Sequence, residues 1–409
     1  MNRSLQKNIR IIYAMGFFHS FLVVVPVFVP LLQGYGLSMS QVLQTQALFA
    51  LTIALCEVPS GYIADIWGRR RAILLGSVLN AFGFFSLLWA DTFLDFLIYE
   101  VILGVGFSLI SGADLALLYD TEVYLQKRKL PGGAGAGKSL SRLISIEAAA
   151  AGIAGIIASV VLIFSSLHGI VALQAVTGFM PFLLGLTLVE APRPQERLTH
   201  RDNARQILEL LLFGKPVVLW TAFAIAVFGL LALYVFWIYQ KYWEVQGIPL
   251  AYFGYIWAAF ALTVSVAARY AAVLEQRLGI NAMLLLIAAL PIAGILGMAF
   301  GAGWMGVMFG FAVQLSRGMS MTLFYEALNK RVPGDFRATV NSLVSLGTRA
   351  TFIVTGPVLG IALDSVGITS TLLILVAVFV PLIALVLMPL LSRIKRESAE
   401  HALQSPAAG

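Results

Sequence analysis

The chain has 409 residues, 60% of them hydrophobic and only 11% charged, a balance that excludes an ordinary soluble globular protein. Its formal net charge of +7 is scattered over short segments, which excludes the basic patch expected of a nucleic-acid-binding surface. One cysteine, Cys56, leaves no means of building an internal disulfide framework or a thiolate metal site, and neither a metal nor a cofactor is expected.

A helix needs roughly 20 apolar residues to cross the hydrocarbon of a bilayer. Twelve stretches of that kind follow one another, at about 9–32, 41–64, 72–90, 96–119, 140–164, 169–189, 216–242, 251–273, 281–300, 304–327, 339–363 and 369–391. The first is too long for a signal-peptide core and carries Pro26 and Pro30 where a cleavage site would need small residues, so it is read as a membrane helix and not as a leader. If the N-terminus lies inside, 24 of the 27 Lys and Arg fall on inner segments. That asymmetry predicts an even number of crossings with both termini cytoplasmic.

The longest polar stretch, 191–215, divides the chain into six-helix halves at 1–190 and 216–397, with a disordered tail expected over 398–409. Within the divider, 203–213 could lie along the inner surface as an amphipathic helix. The halves carry traces of duplication. Asp65-Ile-Trp-Gly68 lines up with Gln276-Arg-Leu-Gly279, and Leu118-Tyr119-Asp120 with Phe324-Tyr325-Glu326.

Between the second and third stretches stands Gly61-Tyr-Ile-Ala-Asp65-Ile-Trp-Gly68-Arg69-Arg70-Arg71. It resembles the loop signature of the major facilitator superfamily, Gly-x-x-x-Asp-(Arg/Lys)-x-Gly-(Arg/Lys)-(Arg/Lys). Gly61, Asp65, Gly68, Arg69 and Arg70 match, and Ile66 departs where a base is usual. The resemblance implies an all-α membrane protein of twelve helices in two pseudo-symmetric bundles, working by alternating access around a central site. It also implies that Asp65 and the neighbouring bases form a gating contact near the start of helix eleven on the inner side. Gly356-Pro357-Val-Leu-Gly360 in helix eleven looks like the bend that family exporters carry in helix five, here in the mirror position.

Gly132 to Ser139 reads Gly-Gly-Ala-Gly-Ala-Gly-Lys-Ser and matches the phosphate-binding pattern literally. The fold that makes such a loop work is a strand followed by a helix in a soluble domain, and about 20 residues between two membrane helices leave no room for it. No nucleotide partner is expected.

Ionisable side chains inside a membrane helix are costly, so each is a candidate for function. Candidates for proton coupling are Glu147, Glu100, His19 and Asp114. Glu100, Gly104, Phe107, Ser111 and Asp114 recur at four- and three-residue steps and would form one stripe along helix four. Glu100 could equally be a solvated helix end, His19 a packed core residue, and Glu147 the partner of a base such as Arg142. Arg317 and Arg349 are candidates for solute binding or for a permanent ion pair. The aromatic run of helix seven reads mostly as an interfacial belt, with Tyr234 and Trp237 as possible solute contacts.

These readings converge on a monomeric secondary transporter of a small organic solute in a plasma membrane of the bacterial inner-membrane type. Its partners would be the lipid bilayer, the solute and protons, with export favoured. The alternatives are a proton-coupled uptake symporter for an organic anion and, further off, a lipid flippase or a non-transporting receptor.

Overall fold

The computed structural model describes residues 2–129, 135–192, 216–333 and 336–404. The linker from 193 to 215 with its amphipathic stretch, the glycines at 132 and 133 and the end of the tail beyond 404 lie outside the described residues.

Among the described residues the fold is helical. Its helices are α1 (Asn2–Ser20), α2 (Phe28–Gly34), α3 (Met39–Trp67), α4 (Arg69–Ser86), α5 (Phe93–Ile110), α6 (Ala113–Lys127), α7 (Ala136–Phe164), α8 (Leu167–Gly178), α9 (Met180–Gly185), α10 (Pro216–Val245), α11 (Phe253–Leu278), α12 (Ile280–Phe300), α13 (Gly303–Arg331) and α14 (Arg337–Gln404). In hydrocarbon every backbone amide must be satisfied within the chain, which is why so apolar a sequence becomes helical rods.

Ten helical segments are long and apolar enough to cross a membrane, the last of them being Thr339–Glu397. That segment is interrupted at Gly367, where φ is 78°, and α13 adds a further 29-residue rod. Among the described residues this gives twelve rods, consistent with the twelve stretches expected.

Several details differ from the sequence expectation. The first crossing is two helices, because Pro26 supplies no N–H for a regular turn and a short 3-10 turn, Val25–Val27, intervenes. The fourth is also two: α5 stops at Ile110, Gly112 takes φ 86°, and α6 starts at Ala113. The stripe from Glu100 to Asp114 is therefore not one helix face. The tail expected to be disordered from 398 is helical through Gln404, since Ala, Glu, Leu and Gln prolong α14 at little cost. The dihedrals of α14 stay helical through Gly356, Pro357 and Gly360.

The chain forms two compact units. The first comprises Met1–Glu196 with Trp243–Ala261 and Phe352–Asp364, and the second comprises Arg197–Tyr242, Leu262–Thr351 and Ser365–Gly409. In the first, Leu5, Ile9, Ile12 and Met15 recur at helical spacing along α1 and belong to the core where α1 packs on α6, α7 and α9. Gly68 and Gly279, the pair matched by the proposed duplication, each have a positive φ (105° and 79°) and each begin a helix, α4 and α12.

Small residues let helices touch backbone to backbone. A Cβ on Gly76 of α4 would lie 2.6 Å from the carbonyl oxygen of Gly106 in α5. Gly76→Leu is expected to destabilise the protein by about 1–3 kcal/mol through overpacking. Thermal unfolding in detergent measures it, and an unchanged midpoint would contradict the contact.

Candidate functional site

The turn between α3 and α4 is a single residue, Gly68, whose φ of 105° suits glycine and almost nothing else. Glu190 closes the exposed start of α4, accepting from the backbone N–H of Arg69 and of Arg70 at 2.9 Å each. The Arg69 guanidinium pairs with Asp120 in the middle of α6, and their side chains are only 18% and 4% exposed. Arg70 donates to the carbonyl of Leu186 at 3.1 Å. Of the five signature residues, the structure joins Gly68, Arg69 and Arg70 in one knot, while Gly61 and Asp65 are exposed along the last turns of α3. Asp120, noted in the sequence as part of the duplication match, is thus the partner of a loop base.

Three of the four proton candidates come together in the first unit. His19 and Asp114 line one small cavity with Gly16 and Ile110, and the His19 ring lies 4.3 Å from that of Phe107. Asp114 stands in the first turn of α6, accepting from the N–H of Leu115 at 2.6 Å, directly after the break at Gly112. Glu147 approaches α1 closely, since a Cβ on Gly16 would lie 3.3 Å from its Oε1. Gly16 thus lines the cavity of His19 and Asp114 and also neighbours the Glu147 carboxylate. Arg142 is not the partner of Glu147; its guanidinium sits 5.8 Å from the centre of the Tyr13 ring.

Glu100 is separate. The solvated helix end does not hold, because Glu100 is 3% exposed and accepts from the Gln46 side chain of α3. A neutral amide is its hydrogen-bond donor, and among the described residues it forms no ion pair.

The second unit contains a cavity of about 280 Å3 lined by α10, α13 and α14. Arg317 and Arg349 both line it, together with Ser320, Tyr325, Ser345 and Thr348, and with Phe228, Phe236 and Phe324 among its apolar walls. No Asp or Glu is among the lining residues. Tyr234 and Trp237 are not in that lining. The interfacial belt is also corrected: Tyr234, Trp237, Tyr239, Tyr242 and Trp243 are buried. Two of their hydroxyls find backbone partners, Tyr239 donating to Gly310 O at 3.0 Å and Tyr242 to Met298 O at 2.8 Å.

The phosphate-like pattern has an occupant already. Buried Glu122 accepts from the Ser139 hydroxyl and from the N–H of Gly135 at 3.1 Å, so a carboxylate of the chain takes two of the described polar groups of the pattern. Among the described residues no group of three His, Cys, Asp or Glu side chains could hold a metal.

Sequence reasoning missed Gln46, Glu122 and Glu190. The first two lie within helices whose facing neighbours only the fold reveals. Glu190 was readable as an acid at a helix end, but its target lies 120 residues away.

The sequence profile described as Major Facilitator Superfamily matches residues 9–341. No characterised protein matches the chain at the level of sequence. Among solved structures, the nucleoside transporter NupG superposes with a TM-score of 0.74 at 15% identity, covering 97% of this chain and all of that one (100%). A bacterial homologue of the human lysosomal transporter Spinster gives 0.72 at 15% identity, over 96% of this chain and 98% of that one. A D-xylose–proton symporter gives 0.67 at 16% identity, over 94% and 96%. Identities this low speak for the fold alone.

Arg69→Ala is expected to cost on the order of 3 kcal/mol of stability by leaving Asp120 buried without its cation. Adding Asp120→Ala should recover part of that loss. A double-mutant cycle by denaturant unfolding in micelles measures the coupling, and additive losses would show that the pair does not interact.

Proposed function

We propose that this chain, which belongs to the major facilitator superfamily and is an integral multi-pass membrane transporter, carries a small organic anion across the membrane by alternating access with protons as the coupling ions. One observation carries the reading: two arginines line a single cavity whose lining has no carboxylate. An arginine keeps its charge at any accessible pH. A charge inside the bilayer needs an answering charge, and among the described residues Arg317 has no acidic partner. A solute with an anionic head would supply it, the hydroxyls of Ser320, Tyr325, Ser345 and Thr348 offering hydrogen bonds and Phe228, Phe236 and Phe324 receiving an apolar body.

The coupling follows from energetics. An inside-negative potential opposes entry of a monoanion by about 2.3 kcal/mol per 100 mV. One proton carried with each charge removes that opposition, and the pH gradient then adds to the drive. Glu147, with Asp114 and His19 beside it, is the assigned proton carrier, and Glu100, which accepts from the Gln46 amide, is a second protonatable group. The moving bodies would be the six-helix halves 1–190 and 216–397 of a monomer with both termini cytoplasmic. Export of the same anion, the direction favoured from sequence, would use the potential and need no proton.

Reconstitution into liposomes with an imposed pH gradient, acid outside, tests both directions. Uptake of organic anions with internal acidification is expected. Arg317→Ala and Arg349→Ala each reduce it at least tenfold, and Glu147→Gln abolishes pH-driven accumulation while sparing solute exchange. A panel in which only neutral or cationic solutes move would refute the anion assignment. Efflux driven by the potential alone, indifferent to Glu147→Gln, would reverse the direction and remove the coupling.

The Asp65 carboxylate is assigned a gating role. Asp65→Asn is expected to reduce flux several-fold with insertion intact, as measured by transport per correctly inserted molecule. Normal flux would remove it from the gate.

A further inference from the structure

Two pieces of the second half of the sequence belong to the first compact unit: Trp243–Ala261 and Phe352–Asp364. Both are fastened to first-half helices by backbone-to-backbone approach. A Cβ on Gly155 of α7 would lie 2.7 Å from the carbonyl oxygen of Gly254 in α11, and the N–H of Tyr255 donates to Ser159 Oγ at 2.9 Å. A Cβ on Gly360 of α14 would lie 2.5 Å from Cα of Ser40, at the start of α3.

One turn beyond Gly360, the Asp364 carboxylate meets the N-terminus of α3 squarely. Oδ1 accepts from the N–H of Met39 at 2.9 Å and Oδ2 from that of Ser40 at 2.8 Å. The next amide, Gln41 N–H, is taken by the side chain of Ser38 in a capping box. All of the first three amides of α3 are thus satisfied, two of them by a residue 325 and 324 positions away. A carboxylate at this end also opposes the positive end of the helix dipole. The other end of α3 carries the turn with Arg69 to Arg71, so by the distribution of bases the Asp364 end faces outward.

Glu190 accepts a similar pair of hydrogen bonds at the start of α4, but both of its partners lie in the first half of the sequence. It is a fixed staple. Asp364 joins the two halves, and its side chain is exposed, so water can replace the helix amides whenever α14 leaves.

We propose that Asp364 is a releasable outer latch: its carboxylate, seated on the first two amides of α3 beside the Gly360–Ser40 contact, holds the outer side closed and lets go each time the carrier opens outward. The latch does not depend on the identity of the solute or on the coupling ion, because its partners are backbone amides.

The test uses the full chain in lipid nanodiscs without solute. In a Cys56→Ser background, nitroxide labels at Gly34→Cys, at the end of α2 just before α3, and Ile361→Cys, one turn before Asp364 in α14, report the separation of these two segments by double electron–electron resonance. Gly34 has open space for a side chain and Ile361 is exposed. Asp364→Asn is expected to shift the population toward the longer distance by about tenfold, the size of one lost charge-assisted bond. Asp364→Ser, which keeps an acceptor without the charge, should shift it in the same direction. Gly360→Leu, which wedges the contact open and leaves the carboxylate in place, should do so as well. Circular dichroism and thermal unfolding identify any variant that has not folded. Unchanged distance distributions in folded Asp364→Asn and Asp364→Ser would overturn the latch, whatever the outcome of the transport assays.

Discussion

Every backbone amide and every charge that enters the hydrocarbon must be answered from within the protein, and most of the structure can be traced to that demand. It makes the chain helical, and it concentrates polar chemistry wherever a helix must stop. Helix ends are therefore the richest places in the molecule. Glu190 closes α4, Ser38 and Asp364 close α3, and Glu122 sits at the start of α7. In each case an oxygen from the chain takes amides that a soluble protein could leave to water. Between the ends, helices approach through glycine, as at Gly76 with Gly106 and Gly155 with Gly254.

The same demand separates the ionisable residues into two classes. Arg69 with Asp120 is satisfied internally and belongs to the architecture. Arg317, lining an acid-free cavity, and Glu147, near a second carboxylate, are not satisfied in this way. A fold that must expel unanswered charge keeps it only where a visiting species can complete it, which is the physical case for a solute at the first and a proton at the second.

Much of this was legible in the residues. Run length and the placement of Lys and Arg gave the helix count, because both are imposed by the bilayer and not by tertiary detail, and the signature from Gly61 to Arg70 pointed to the family. The Gly68 turn was legible for the same reason. The interruptions at Pro26 and Gly112 were not anticipated: hydropathy is blind to a break that leaves composition unchanged. The aromatic residues of α10 were misread as a surface belt, since a tyrosine with a buried carbonyl partner and one at a lipid headgroup look alike in sequence. Arg317 and Arg349 were legible as costly residues, yet their meeting in one cavity depends on the packing of α13 against α14. Asp364, Glu190 and Glu122 were hidden for a simpler reason: each acts on amides, which carry no sequence signature.

Gly112 shows how that blindness bears on the reading of variation. It is exposed and a Cβ there would meet nothing within 4 Å, so by the measure of available room any residue would fit. Its φ of 86° says otherwise, because an L-residue in such a conformation is strained by about 1–2 kcal/mol. Crowding and torsion thus pull in opposite directions at the same position, and torsion decides. An empty neighbourhood, in a membrane span interrupted between α5 and α6, is no licence for replacement.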